Sequence, residues 1–191
     1  MTMDIGGGSV EFIIWNGDGI QWAQSFDVGV ARLHMLMNWG DPHGEEGLAK
    51  MQPYLNDVVT PLSAAMDALK PSKLVGASGS FDTLADLVGT RTRRERPDHA
   101  QSPEPHPGVD PIPLDSWTEV CRQLTTCDVN HRADMPGMDP ARVDLMPYSA
   151  ALIQWVLKGG SFTSMCRAPY ALREGVLSRV ERGLPLLPAL G

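Results

Sequence analysis

The hydrophobic pattern opens on a short run, Phe12-Ile13-Ile14-Trp15, inside the segment Val10–Asn16. A run apolar on both faces predicts a buried strand. Asn16-Gly17-Asp18-Gly19 then supplies the residues of a hairpin turn, so Ile20–Phe26 is expected to pair back as a second strand. After Asp27-Val28-Gly29 the period changes. Val30, Leu33 and Leu36 or Met37 share a helical face over Val30–Asn38. The same period runs from Glu45 to Leu69, through Leu55, Val58, Val59, Leu62, Met66 and Leu69, with Pro61 marking a kink or two abutting helices.

Lys73–Ala77 predicts a second buried strand, Ser78-Gly79-Ser80 a turn, and Phe81–Val88 a helix with Phe81, Leu84, Leu87 and Val88 inward. From Thr90 to Pro113 the period vanishes into arginines (Arg91, Arg93, Arg94, Arg96) and prolines, and this stretch predicts an excursion from the domain. Ser116-Trp117-Thr118-Glu119 reads as a capping box opening a helix, and Asp139-Pro140 as the start of another, with a kink at Pro147. Ser161–Cys166 predicts a last strand and Tyr170–Arg182 a last helix, before a Pro- and Leu-rich tail. Hairpin, helices, strand, helices, strand, helix is the order of a single α/β domain over residues 1–191, with a mixed sheet flanked by helices.

A net charge of −7 argues against general nucleic-acid or anionic-membrane binding, so a polyanionic substrate needs a local positive site. Cys121, Cys127 and Cys166 have no metal-ligand spacing and read as buried thiols of a reducing, cytoplasmic compartment. No run is long enough to span a membrane, and no secretory signal is visible. The five histidines form no metal pattern; Met35, Met37, Trp117 and Trp155 read as core.

Two glycine turns carry the candidate chemistry. Asp4-Ile5-Gly6-Gly7-Gly8-Ser9-Val10-Glu11 places three glycines and a hydroxyl between two carboxylates. Such glycines permit close backbone approach, their amides can form an anion nest, and the carboxylates can hold a divalent cation. A hairpin turn with charged shoulders is the alternative. Gly76-Ala77-Ser78-Gly79-Ser80 lies between a predicted strand and a predicted helix, where amides and the helix dipole favour an anion. A tight turn without ligand is its alternative. Arg32 reads as a helix-surface ion pair or a phosphate contact, and Asp144 as a structural acceptor.

Asp4–Ile14 (DIGGGSVEFII) resembles the signature of the exopolyphosphatase and guanosine pentaphosphate phosphohydrolase (Ppx/GppA) family, within the sugar kinase, Hsp70 and actin superfamily. The resemblance continues through Asp27–Leu33, Gly76–Ala85, Met135–Met138, Ala141–Asp144 and Leu172–Gly175. It implies a ribonuclease-H-like fold, the second of two such halves. It also implies Mg2+-dependent hydrolysis of a terminal phosphoanhydride in polyphosphate or pppGpp. Asp4 and Glu11 would be the catalytic carboxylates handling metal and water. Gly6, Gly7, Gly8 and Ser9 would hold phosphate. Gly76, Ser78, Gly79 and Ser80 remain the second anion site expected from the turn itself, and Arg32 a separate candidate phosphate contact.

Only Met1-Thr2-Met3 precede Asp4, fewer than an ordinary strand requires. The family's first half, with its catalytic glutamate, has no counterpart in this sequence. The isolated chain is therefore expected to be inactive unless another chain supplies that half. A non-catalytic phosphate-binding module and a nucleotide-binding kinase fragment are rival readings. The clipped first strand is expected to expose a sheet edge and to drive homodimerisation.

Overall fold

The computed structural model describes residues 1–37, 40–95, 110–169 and 181–182; the side chains of Glu45, Leu48 and residues 90–95 fall outside the description. Six strands form one sheet among the described residues: β1 (Thr2–Ile5), β2 (Val10–Asn16), β3 (Gly19–Phe26), β4 (Lys73–Ala77), β5 (Asp110–Ile112) and β6 (Ser164–Arg167). Their order is β3-β2-β1-β4-β6-β5, with β1–β4 and β4–β6 parallel and the other pairs antiparallel. The helices are α1 (Val30–Met37), α2 (Gly44–Val58), α3 (Thr60–Leu69), α4 (Gly79–Glu95), α5 (Leu114–Thr126), α6 (Val129–Ala133) and α7 (Met146–Gly159).

The short first strand lies in the middle of the sheet. β1 pairs with β2 on one side and with β4 on the other, so four residues suffice because both neighbours satisfy them. The edges are β3 and β5, and the dimer expectation loses the exposed first strand on which it rested. Nor is β2 buried on both faces. Val10, Phe12 and Ile14 are buried, whereas Glu11 and Ile13 are half-buried and Trp15 is 51% exposed. Cross-strand register puts Met3 and Ile5 with the buried set and Thr2 and Asp4 with the other. Alternation thus separates one core face from one face that carries chemistry.

On the core face α4 lies directly against β4. A Cβ at Gly76 would overlap the ring of Phe81, itself fully buried. Burying such a side chain contributes about 1.5–3 kcal/mol. Leu84, Leu87 and Val88 continue that contact, while α5 and α7 add Trp117, Val120, Leu124, Ile153 and Val156.

Several local expectations shift. The break in the long helical region falls at Val59, which leaves Pro61 in the first turn of α3, where a missing N–H costs nothing. α4 continues through the arginine-rich stretch to Glu95, because a helix nucleated by packed turns can extend through residues of good propensity. Residues 96–109 of the expected excursion lie outside the described residues, and its end is β5. α5 starts at Leu114, so Ser116 lies within the helix and Glu119 bonds Arg122 and Gln123 instead of closing a box. Asp139 caps only a 3-10 turn, Pro140–Arg142, and Pro147 occupies the first turn of α7 without kinking it. Met35 is 74% exposed, not core. The predicted helix Tyr170–Arg182, with Arg173 and Glu174, falls almost wholly outside the described residues. No helix among those described is long and apolar enough to cross a membrane.

Candidate functional site

β1 and β2 are joined by the turn Gly6-Gly7-Gly8-Ser9, closed by the Gly6 amide donating to Ser9 O at 3.0 Å. The turn leans on the start of α1. Gly29 N donates to Gly8 O (3.1 Å), Val30 N to Gly6 O (3.0 Å), and Ala31 N and Arg32 N to Gly7 O (3.0 and 3.2 Å). The first amides of α1, which lack partners in any helix, are therefore satisfied by the glycine carbonyls. This close approach explains Gly29: a Cβ there would stand 2.5 Å from Gly7 O.

One consequence decides the chemistry of the turn. In a planar trans peptide the carbonyl of one residue and the amide of the next point opposite ways. Carbonyls of Gly6, Gly7 and Gly8 directed at α1 therefore turn the amides of Gly7, Gly8 and Ser9 away from it. Gly7 and Gly8 are exposed, and their amides carry no hydrogen bond among the described residues. The Gly6 amide, expected among the anion donors, is instead consumed by the turn.

Asp4 and Glu11 are direct partners across β1 and β2, so both carboxylates stand on the half-open face of the sheet. Ser25 is the partner of Glu11 on β3. The Glu11 Oε1 accepts from the hydroxyls of Ser9 (2.6 Å) and Ser25 (2.7 Å). Asp4 Oδ1 accepts from the hydroxyl of Ser78. Asp4 Oδ2 and Glu11 Oε2 have no hydrogen-bond partner among the described residues. Hydroxyls hold one oxygen of each acid and leave the other available, an arrangement that orients carboxylates without neutralising them.

Ser78 is the single residue between β4 and α4. Its φ of 70° is in the left-handed region, and its carbonyl accepts from Phe81 N (2.9 Å) and Asp82 N (3.2 Å). That backbone bend swings the hydroxyl to Asp4 and presents the first turn of α4, where the macrodipole is positive. The two glycine turns predicted from the sequence thus meet through the Ser78–Asp4 hydrogen bond.

Three expected phosphate contacts fall elsewhere. Gly76 is a packing glycine on the core face, against Phe81. Ser80 is 1% exposed and accepts from Ser149 Oγ at 3.0 Å, because one step along a helix turns a side chain by about 100°. Arg32 lies on the outer side of the glycine turn, where its Nε donates to Gly8 O (3.3 Å) and its guanidinium is 4.0 Å from Asp27.

Two described cations reach the start of α4: Arg167, whose Nη1 pairs with Asp82 at 3.3 Å, and Arg142. A Cβ on Gly79 would overlap its guanidinium, so the side chain rests on the first residue of α4. Arg142 Nε donates to Asp139 Oδ2 at 3.0 Å. The sequence displayed Arg142 only as part of a motif; no local signal ties it to Gly79, 63 positions earlier. His34 and His43 stay outside this arrangement: both pack on the buried ring of Tyr148, and burial chiefly holds His43 below the usual imidazole range.

The profile of the Ppx/GppA phosphatase family matches residues 1–182. Exopolyphosphatase 1 of Mycobacterium leprae is 23% identical over 180 residues, which are 94% of this chain and 50% of that protein. Exopolyphosphatase 1 of Mycobacterium tuberculosis is 26% identical over the same shares. The crystal structure of an exopolyphosphatase from Cytophaga hutchinsonii superposes with a TM-score of 0.84 at 33% identity, covering 98% of this chain and 58% of that one. A family member from Aquifex aeolicus superposes at 0.71 with 20% identity, over 95% and 56% of the two chains, which shows shared fold. These neighbours have the actin-like, ribonuclease-H-related fold. The chain spans about half the length of the curated relatives it matches.

Proposed function

Because this chain belongs to the Ppx/GppA phosphatase family, we propose that it forms the metal- and phosphate-binding wall of a phosphoanhydride hydrolase. Its substrate would be polyphosphate or, as a second candidate of the same chemistry, pppGpp. The observation that carries this reading is the Asp4–Glu11 register with Ser78 bonded to Asp4, which joins two acids, two glycine turns and a helix N-terminus.

The donor set fits Mg2+. Asp4 Oδ2 and Glu11 Oε2 are hard oxygens on one face, and a Mg2+ ion retains waters and takes one or two carboxylates plus phosphate. Bound there, the ion would supply charge neutralisation on the transferred phosphoryl group. The chain's own groups do the rest. The outward amides of Gly7, Gly8 and Ser9 would hold the phosphate chain, and Arg142 and the first turn of α4 would hold a neighbouring phosphoryl oxygen. The second oxygen of Glu11 would orient water. A catalytic base from the half of the family core that this sequence does not cover would complete hydrolysis. In its absence the same geometry serves as a binding module, the second reading.

The test is calorimetric titration of Mg2+ and then inorganic tripolyphosphate into the chain. Binding that requires both, and that Asp4→Asn and Glu11→Gln each weaken tenfold or more at unchanged Tm, supports the assignment. Metal-independent tripolyphosphate binding, or retention in both variants, overturns it. Phosphate release assayed alone and after mixing with a first half from a relative separates the hydrolase from the binding module.

A further inference from the structure

Among the described residues Arg132 is the largest fully buried side chain, 1% exposed, and it lies outside the site. Its Nη1 donates to Asp41 Oδ1 and to Cys127 O, both at 2.6 Å, and its Nε donates to Val143 O at 3.2 Å. Asp41 Oδ2 accepts from Val129 N at 2.5 Å. A charge buried to this degree persists only when paired and hydrogen-bonded. An apolar pair of equal volume would stabilise as well or better. What apolar residues would not supply is direction: this pair fixes the loop before α2, the start of α6 and one particular carbonyl.

That carbonyl belongs to the residue after Arg142. The side chain of Arg142 is one-third exposed, and its described anchors are Asp139 and the surface of Gly79. A long, partly solvated arginine holds a set direction only if its backbone does. Asp41 lies four residues beyond the end of α1, the helix whose amides hold the glycine turn. Arg142, through Val143, and the loop that follows α1 in sequence, through Asp41, therefore share one ion pair, whose arginine is buried and whose aspartate is 32% exposed.

We propose that Arg132 and Asp41 are positioning residues that aim Arg142 across the N-terminus of α4 and so set the affinity of the cleft for a phosphoryl group. The inference rests on the phosphate reading above. It adds that affinity is governed from residues that never touch the anion.

The experiment is a double-mutant cycle on the full chain, with inorganic tripolyphosphate and Mg2+ as the titrated probe. Asp41→Asn and Arg132→Lys are each made in the wild type and in Arg142→Ala, and Tm is recorded for all. The expected result is a loss of affinity of about three- to tenfold in the wild-type background, within the coupling expected of connected residues. In the Arg142→Ala background that loss should nearly vanish. Equal losses in both backgrounds, or a lowered Tm at unchanged affinity, overturn the inference. If Asp41→Asn fails to fold, Arg132→Lys carries the cycle. The Nε–H resonance of Arg142, followed by NMR without ligand, gives a second readout: it should move in Arg132→Lys, and an unmoved resonance overturns the proposal. A wild-type chain that binds no tripolyphosphate overturns the phosphate reading itself, and with it this inference.

Discussion

Gly29→Ala tests the contact on which the geometry of the glycine turn depends. A Cβ at position 29 would lie 2.5 Å from Gly7 O, where ordinary contact begins at 3.4 Å. The obstruction is backbone, so no side chain can swing aside, and α1 must retreat from the glycine turn by roughly 0.9 Å. Four hydrogen bonds now 3.0–3.2 Å long would stretch to about 4 Å, past useful length. At about 0.5–1.5 kcal/mol each, and allowing for water reaching the freed amides, the loss is about 2–4 kcal/mol. For a chain of this size that lowers Tm by roughly 5–15 °C. Thermal and urea unfolding measure it, with Gly17→Ala as control, since a Cβ there meets nothing within 4 Å. Tripolyphosphate binding should fall together with stability, because the carbonyls no longer fix the opposite amides. A Tm within about 2 °C of wild type would refute the claim that α1 and the turn are mutually locked.

Gly79→Ala should behave in the opposite way: its Cβ meets the flexible end of Arg142, so affinity for tripolyphosphate should drop about tenfold or more while Tm changes little. Unchanged affinity would remove Arg142 from the site. At Ser78, whose φ is 70°, Ser78→Gly should unfold at higher urea than Ser78→Ala by about 0.5–1 kcal/mol, since both lose the hydroxyl bonded to Asp4 but only glycine relieves the backbone. Equal midpoints would count against strain there. Burial pushes the Cys121 thiol up to about 12 from 9.0 and raises Cys166 as well. The folded chain then keeps protons the unfolded chain loses, so this contribution is intact below pH 9 and is lost progressively toward pH 12. Iodoacetamide at pH 8 should accordingly label Cys127, which is half-buried, before Cys121; equal rates would refute the burial argument.

Periodicity and turn chemistry were sufficient to read the β2–β3 hairpin, α1, β4, the start of α4 and the glycine turn between two acids, because each is set by residues within a few positions of one another. Family membership followed from the same local strings. Long-range packing decided the remainder. The place of β1 in the centre of the sheet depends on β4, some seventy residues away, and no property of Met1–Met3 announces it. Ser78 and Ser80 are chemically alike and two apart, yet one reaches Asp4 and the other Ser149, since a backbone bend and a helical step separate their directions. Arg32 takes the ion-pair alternative, beside Asp27, while Arg142, for which the sequence suggested no role, rests on Gly79. The sequence by itself determined which chemical groups this protein carries and in which turns. Only the tertiary structure decided which of them stand together, because direction in space is fixed by contacts between segments that the linear order keeps apart.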